Sequence, residues 1–141
     1  MTAYPELDAF TARHETVLRE LLGPHWPVKP WKVTQHGPLT KYTLGPTDDG
    51  RWAMIHGLTE PDAGPAHDHP VHFTSTIIQG SYTEKVYHDG VVATITWKEG
   101  STHEIPPEYI HTITELPEGE VWSLCFAGPV VRAWKHYPEL A

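Results

Sequence analysis

From residue 31 onward the chain is cut into short segments by turn-forming residues, and this punctuation constrains its fold more than any other feature. The segments near 31–36, 39–44, 51–58, 73–79, 81–87, 91–97, 101–105, 109–114 and 120–127 are rich in Val, Ile, Thr, Tyr and Trp. Between them stand breakers such as Gly37-Pro38, Gly45-Pro46, Gly64-Pro65, Gly80, Asp89-Gly90, Gly100, Pro106-Pro107 and Gly128-Pro129. Short strands at regular spacing with turn signals between them predict a sandwich or barrel. Asp89-Gly90 is the clearest two-residue hairpin turn, because both of its positions favour positive φ. The reading is an all-β fold, an antiparallel barrel of eight or more strands over 31–134, in one domain spanning 1–141.

Residues 5–22 read differently. Leu7, Phe10, His14, Val17, Leu18, Leu21 and Leu22 recur three or four apart, which predicts one amphipathic helix packed outside the barrel. Pro5 suits its first turn, Glu6 and Asp8 place negative charge at the positive end of the dipole, and Gly23-Pro24 stops it.

Charge and composition narrow the function classes. Ten basic against eighteen acidic side chains give a net charge of −8, and no Lys/Arg cluster stands out. Nucleic acid and anionic membranes are therefore not expected as partners. No apolar run approaches the ~20 residues of a membrane helix, and no signal-peptide pattern is evident. Cys125 is the single cysteine, so an intramolecular disulfide is excluded and a reducing, cytoplasmic setting is expected.

Eleven histidines are many for this length, and their placement matters more than their number. In Gly64-Pro65-Ala66-His67-Asp68-His69-Pro70, the two histidines would share one face of an extended strand, a ready pair of metal ligands. Small antiparallel barrels have an interior that can hold one ligand or metal. Downstream, the stretch from Gly100 to His111 carries His103 and His111 on another strand.

These residues resemble the two motifs of the cupins, jelly-roll barrels with the patterns G-x5-H-x-H-x3/4-E-x6-G and G-x5-P-x-G-x2-H-x3-N. His67, His69 and Gly80 fall in register with the first; Gly100, Pro106 and His111 fall in register with the second. Phe73 stands where the first motif has a glutamate, while Glu108 and Glu115 replace the glycine and asparagine of the second. Among cupins, the chain is similar to the thiol dioxygenases (cysteine dioxygenase and relatives), which hold Fe(II) with three histidines and no carboxylate. His67-Asp68-His69 with His72, Tyr42-Thr43-Leu44 followed by Asp49-Gly50-Arg51-Trp52, Gln79-Gly80 and Glu84 all recur in similar places. Trp122-Ser123-Leu124-Cys125-Phe126 resembles the strand of their Ser-His-Tyr relay, with Ser123 retained and Cys125 and Ala127 at the other two positions.

The resemblance implies His67, His69 and His111 as metal ligands, with His103 as the rival third ligand. His72 has the opposite strand parity, so it is expected to face away and to support the ligands from behind or serve the structure. Fe(II) is the foremost metal, and Zn, Ni or Cu also suit imidazole ligands. Lys41 lies about where the family places an arginine that grips the substrate carboxylate. Tyr82, Tyr109 and Trp122 are candidates for the substrate-binding wall, and Ser123 and Cys125 for catalytic support. The implied function is a mononuclear non-haem Fe(II) oxygenase, a metal-dependent oxidoreductase using O₂ on a small anionic metabolite such as a thiol. The alternatives are a non-oxidative metal-dependent lyase, isomerase or decarboxylase, and a small-molecule-binding cupin. A homodimer through barrel edges is compatible with the composition.

Overall fold

The computed structural model describes residues 3–62 and 64–140. Two short helices, α1 (Pro5–Arg13) and α2 (Glu15–Leu22), and a 3₁₀ turn at Gly23–His25 precede eleven strands. These are β1 (Lys32–His36), β2 (Leu39–Pro46), β3 (Trp52–Leu58), β4 (Ala66–His67), β5 (Phe73–Gly80), β6 (Tyr82–His88), β7 (Val91–Trp97), β8 (Thr102–Ile105), β9 (Ile110–Glu115), β10 (Val121–Ala127) and β11 (His136–Tyr137). They form a six-stranded sheet in the order β1-β2-β3-β10-β5-β8 and a five-stranded sheet in the order β11-β4-β9-β6-β7. Every pairing is antiparallel. All nine expected segments are strands, and Asp89 and Gly90 both adopt positive φ in the β6–β7 turn. The two-residue strands β4 and β11 carry no alternation a sequence could show.

The predicted single helix is two helices, broken at His14 (φ −116°, ψ 26°). The break lets both halves follow the outer face of the six-stranded sheet. Leu7, Phe10, Leu18 and Leu22 are buried there among Tyr42, Ile55, Trp122 and Leu124, while Val17 and Leu21 stay 37% and 42% exposed. Burying each such apolar side chain contributes roughly 1.5–3 kcal/mol. His14 itself hydrogen-bonds Gln79 on β5, which ties the break to the barrel.

Strand parity decides what faces the interior. On β10, Trp122 and Leu124 face the helices, leaving Val121, Ser123 and Cys125 for the cavity side. Gly80 closes β5 with φ +85°, and a Cβ there would collide with the backbone carbonyl of Glu120. Gly80→Ala is therefore expected to cost ~2–4 kcal/mol, because the clash adds to the strain of a positive φ. Urea denaturation of the variant measures this.

Candidate metal centre

His67 ends β4 and lies opposite His111 on β9. His69 comes two residues later, after the strand has stopped, and its backbone N–H donates to the carbonyl of Pro107. The pair therefore does not share a continuous strand, as simple alternation suggests. The loop and the β9 pairing bring the rings together, with centroids 5.3 Å (His67–His69), 4.9 Å (His67–His111) and 4.8 Å (His69–His111) apart. One nitrogen from each of the three lies within 4.8 Å of the others, an arrangement that could hold a metal ion.

The hydrogen bonds behind the rings fix their tautomers. His69 Nδ1 is 3.0 Å from the carbonyl oxygen of Tyr109, which only accepts, so Nδ1 carries the proton. His111 Nδ1 donates to Glu84 Oε1 at 2.6 Å. Glu84 is 0% exposed and also accepts from Trp97 Nε1 (2.6 Å) and Tyr109 Oη (2.7 Å). Burial alone would raise the Glu84 pKa, but the hydrogen bond from His111 and those from Tyr109 and Trp97 outweigh it, so the carboxyl stays ionised. With both Nδ1 atoms protonated, the lone pairs of His69 Nε2 and His111 Nε2 face each other at 3.2 Å. One proton could serve two of the three nitrogens; a metal ion serves all three. Burial, then the neighbouring His111 and His67, press the His69 pKa down to about 3, which disfavours the proton. The donor set therefore fits a transition ion, with a buried carboxylate holding one ligand from behind as metal-bound histidines require.

The triad opens on a cavity of about 520 Å³, within the range of small-molecule sites. Its apolar walls include Leu39, Leu58, Ile113 and Val121. Its other polar region comprises Lys41, His56, Ser75, Ser123 and Cys125. Lys41, His56 and Ser123 are cross-strand neighbours on β2, β3 and β10. The Phe73 ring stands between the two polar regions, 6.1 Å from His69, 5.8 Å from His56 and 6.0 Å from Lys41 Nζ. Among the described residues no acidic side chain pairs with Lys41, and burial lowers its pKa although Cys125 acts the other way.

No protein-family model matches the sequence, and no curated protein matches it. Solved structures do. The S161A mutant of Bacillus subtilis oxalate decarboxylase OxdC gives a TM-score of 0.57 at 15% identity, over 74% of this chain and 29% of that one. The hydroxypropylphosphonic acid epoxidase from S. wedmorenis, in complex with fosfomycin, gives 0.57 at 10% identity, over 72% of this chain and 56% of that one. The fold is a cupin fold. This chain thus spans less than a third of the decarboxylase and a little over half of the epoxidase.

Within the cupin barrel, Tyr82, Ser123 and Cys125 line the cavity with Lys41. Trp122 does not: it stacks on Phe10 at 4.5 Å, over Gly57, on the helix side of the sheet, because its parity is opposite to that of Ser123 and Cys125. Tyr109 is not a wall residue either. Its hydroxyl and carbonyl hold Glu84 and His69, which places it behind the triad. His103 stacks on Trp97 (4.0 Å, 5°) and bonds the Tyr82 hydroxyl through Nε2, and it is not among the converging residues. His72 faces out toward Glu104, away from the triad as expected, but from the loop between β4 and β5, where strand parity does not apply. Phe73 leaves the cupin glutamate position without a carboxylate, and none belongs to the converging group.

No sequence motif marks His56, which on the sequence alone reads as a surface or satisfied core histidine. Its Nδ1 lies 3.5 Å from Cys125 Sγ, and its Nε2 is buried without a hydrogen-bond partner. Burial, then Lys41 and His36, lower its pKa from 6.5 to about 3. The folded protein therefore resists a proton that the unfolded chain accepts. Stability is expected to fall as pH drops from 6.5 toward 3, by about 1.4 kcal/mol per pH unit for each such histidine. Urea denaturation of metal-free protein at pH 7, 5.5 and 4.5 measures the slope, and His56→Gln should flatten it.

Proposed function

We propose that this cupin is a metal-dependent enzyme, a mononuclear non-haem Fe(II) oxygenase acting on a small anionic metabolite, with a thiol carboxylate foremost. The carrying observation is the set of three imidazoles, which among the described residues includes no carboxylate, facing a cavity that holds Lys41, which among those residues forms no ion pair. Three neutral ligands leave a divalent ion its full charge, which draws an anionic group to it. Bound Fe(II) would supply O₂ activation beside that group. The protein's own part is positional. Glu84 and the Tyr109 carbonyl hold His111 and His69 in register, and Lys41 neutralises a carboxylate at the other side of Phe73. A buried ammonium is costly without such a partner. Ser123 and Ser75 add hydroxyls to the same cavity, and the apolar walls exclude water from the body of the ligand. Among structural neighbours, the hydroxypropylphosphonic acid epoxidase (HppE) has a structure with Fe(II), which supports iron here.

A second reading has one observation in its favour: the decarboxylase neighbour is described with Mn(II) centres, and a Lewis-acid metal would serve non-oxidative chemistry in the same cavity. Oxygen consumption separates the two. Anaerobically Fe(II)-loaded protein is expected to take up O₂ with 3-mercaptopropionate or cysteine, and Lys41→Met should raise KM while leaving metal content unchanged. Loaded protein that consumes no O₂ with small thiols, amino acids or hydroxy acids, yet releases CO₂ from oxalate, would replace the first reading by the second.

A further inference from the structure

Asp68 lies between two of the converging histidines and is 1% exposed, yet none of its hydrogen bonds goes to them. All three come from one later segment: Arg132 Nη2, the backbone N–H of Lys135 and the Tyr137 hydroxyl, each at 2.8 Å. The backbone joins the same two stretches throughout. Gly128 N–H donates to His72 O, Val131 N–H to Pro70 O, and Asp68 N–H to Lys135 O. Beyond these, β11 pairs with β4, setting His136 against His67 and Tyr137 against Ala66. Residues 128–137 therefore form a strap laced along the whole ligand loop 66–72. The strap also brings Trp134 and His136 to the cavity, with rings 6.0 Å and 6.1 Å from His67.

This lacing answers a mechanical problem. The strand that delivers His67 is two residues long and pairs with β9 only at His67 itself, so the sheet by itself holds the loop weakly. A buried carboxylate bonded to an arginine, a hydroxyl and a backbone N–H is a strong anchor, because hydrogen bonds to an ionised acceptor are shorter and stronger than neutral ones. If the strap leaves, Asp68 loses every side-chain partner it has.

We propose that the 128–137 strap is a clasp for the metal centre, with Asp68 as the positioning residue that orients His67 and His69 through it. The clasp rests on the metal reading only for its purpose; its mechanical coupling stands without a metal. By linkage the coupling is reciprocal, so a metal that needs the ligand loop in place also tightens the strap.

Arg132→Ala combined with Tyr137→Phe leaves Asp68 and all three histidines intact and is the variant of choice. In metal-free full-length protein, amide hydrogen exchange in 128–137 and in 66–72 should rise together in this variant, with the rest of the barrel unchanged. Faster exchange confined to 128–137 would overturn the clasp. With Zn(II) as probe, wild-type protein should gain protection in both segments, and the variant should lose Zn(II) to excess chelator ~10–100-fold faster, the scale seen when a ligand's support is removed. An unchanged release rate would likewise overturn it. Absence of any Zn(II) binding by wild type would instead remove the metal reading, and the metal-free exchange result would still decide the clasp.

Discussion

His67→Ala is expected to eliminate tight transition-metal binding while leaving the barrel folded. His67 is the half-buried member of the triad, and its ring anchors no buried charge, so its loss mainly removes a donor. Two imidazoles remain, and affinity should fall by more than the ~10–100-fold that attends loss of a partner behind a ligand. His111→Ala should abolish binding too, but with a second consequence. It takes one of three donors from the Glu84 carboxylate, which is fully buried and otherwise held by Tyr109 and Trp97, and losing a hydrogen bond to a buried charged group costs about 1.5–3 kcal/mol. The pair of variants thus separates metal binding from stability. Calorimetric titration with Zn(II), read beside urea denaturation of the metal-free proteins, should show the first variant losing binding alone and the second losing both.

Glu84→Gln tests the support beneath the triad. Glutamine preserves shape, but its amide has one accepting oxygen where the carboxylate has two, and three donors converge on this site from His111, Trp97 and Tyr109. Whichever way the amide turns, its NH₂ meets a donor. Metal affinity is expected to fall ~10–100-fold, because His111 loses the bond that fixes its tautomer and orientation. Stability should fall by about 1–3 kcal/mol from the unsatisfied group. Competition with a chromophoric chelator gives the affinity, and a thermal melt gives the stability. A variant with wild-type affinity would mean that Glu84 serves the fold and not the centre.

Most of the barrel was legible because it rests on local signals. Alternation and turn residues mark each long strand, and Asp89-Gly90 marks its hairpin through a backbone requirement that few residue pairs meet. The helix break at His14 was not, since the stripe runs straight through it and the His14 ring's partner, Gln79, lies 65 residues away. Trp122 was misplaced for want of a strand register: a residue's side of a sheet follows from parity only once one neighbour is anchored. In the site, His67, His69 and His111 were legible as a spaced motif. Glu84 was visible as a recurring residue but not as the support of His111. Asp68 was visible within His67-Asp68-His69, but its tie to the strap was not, because those bonds span 64 to 69 residues and depend on tertiary packing. His56 reaches the cavity by being a cross-strand neighbour of Ser123, which no local pattern encodes.

The central claim is that His67, His69 and His111 together hold one divalent transition ion. Protein loaded anaerobically with Fe(II), or in parallel with Zn(II), then desalted and analysed for metal against protein concentration, tests it most directly. The geometry predicts about one ion per chain for wild type and almost none for His67→Ala, since affinity depends on the full donor set. A wild-type protein that retains almost no ion, or a His67→Ala variant that retains a full complement, would contradict it.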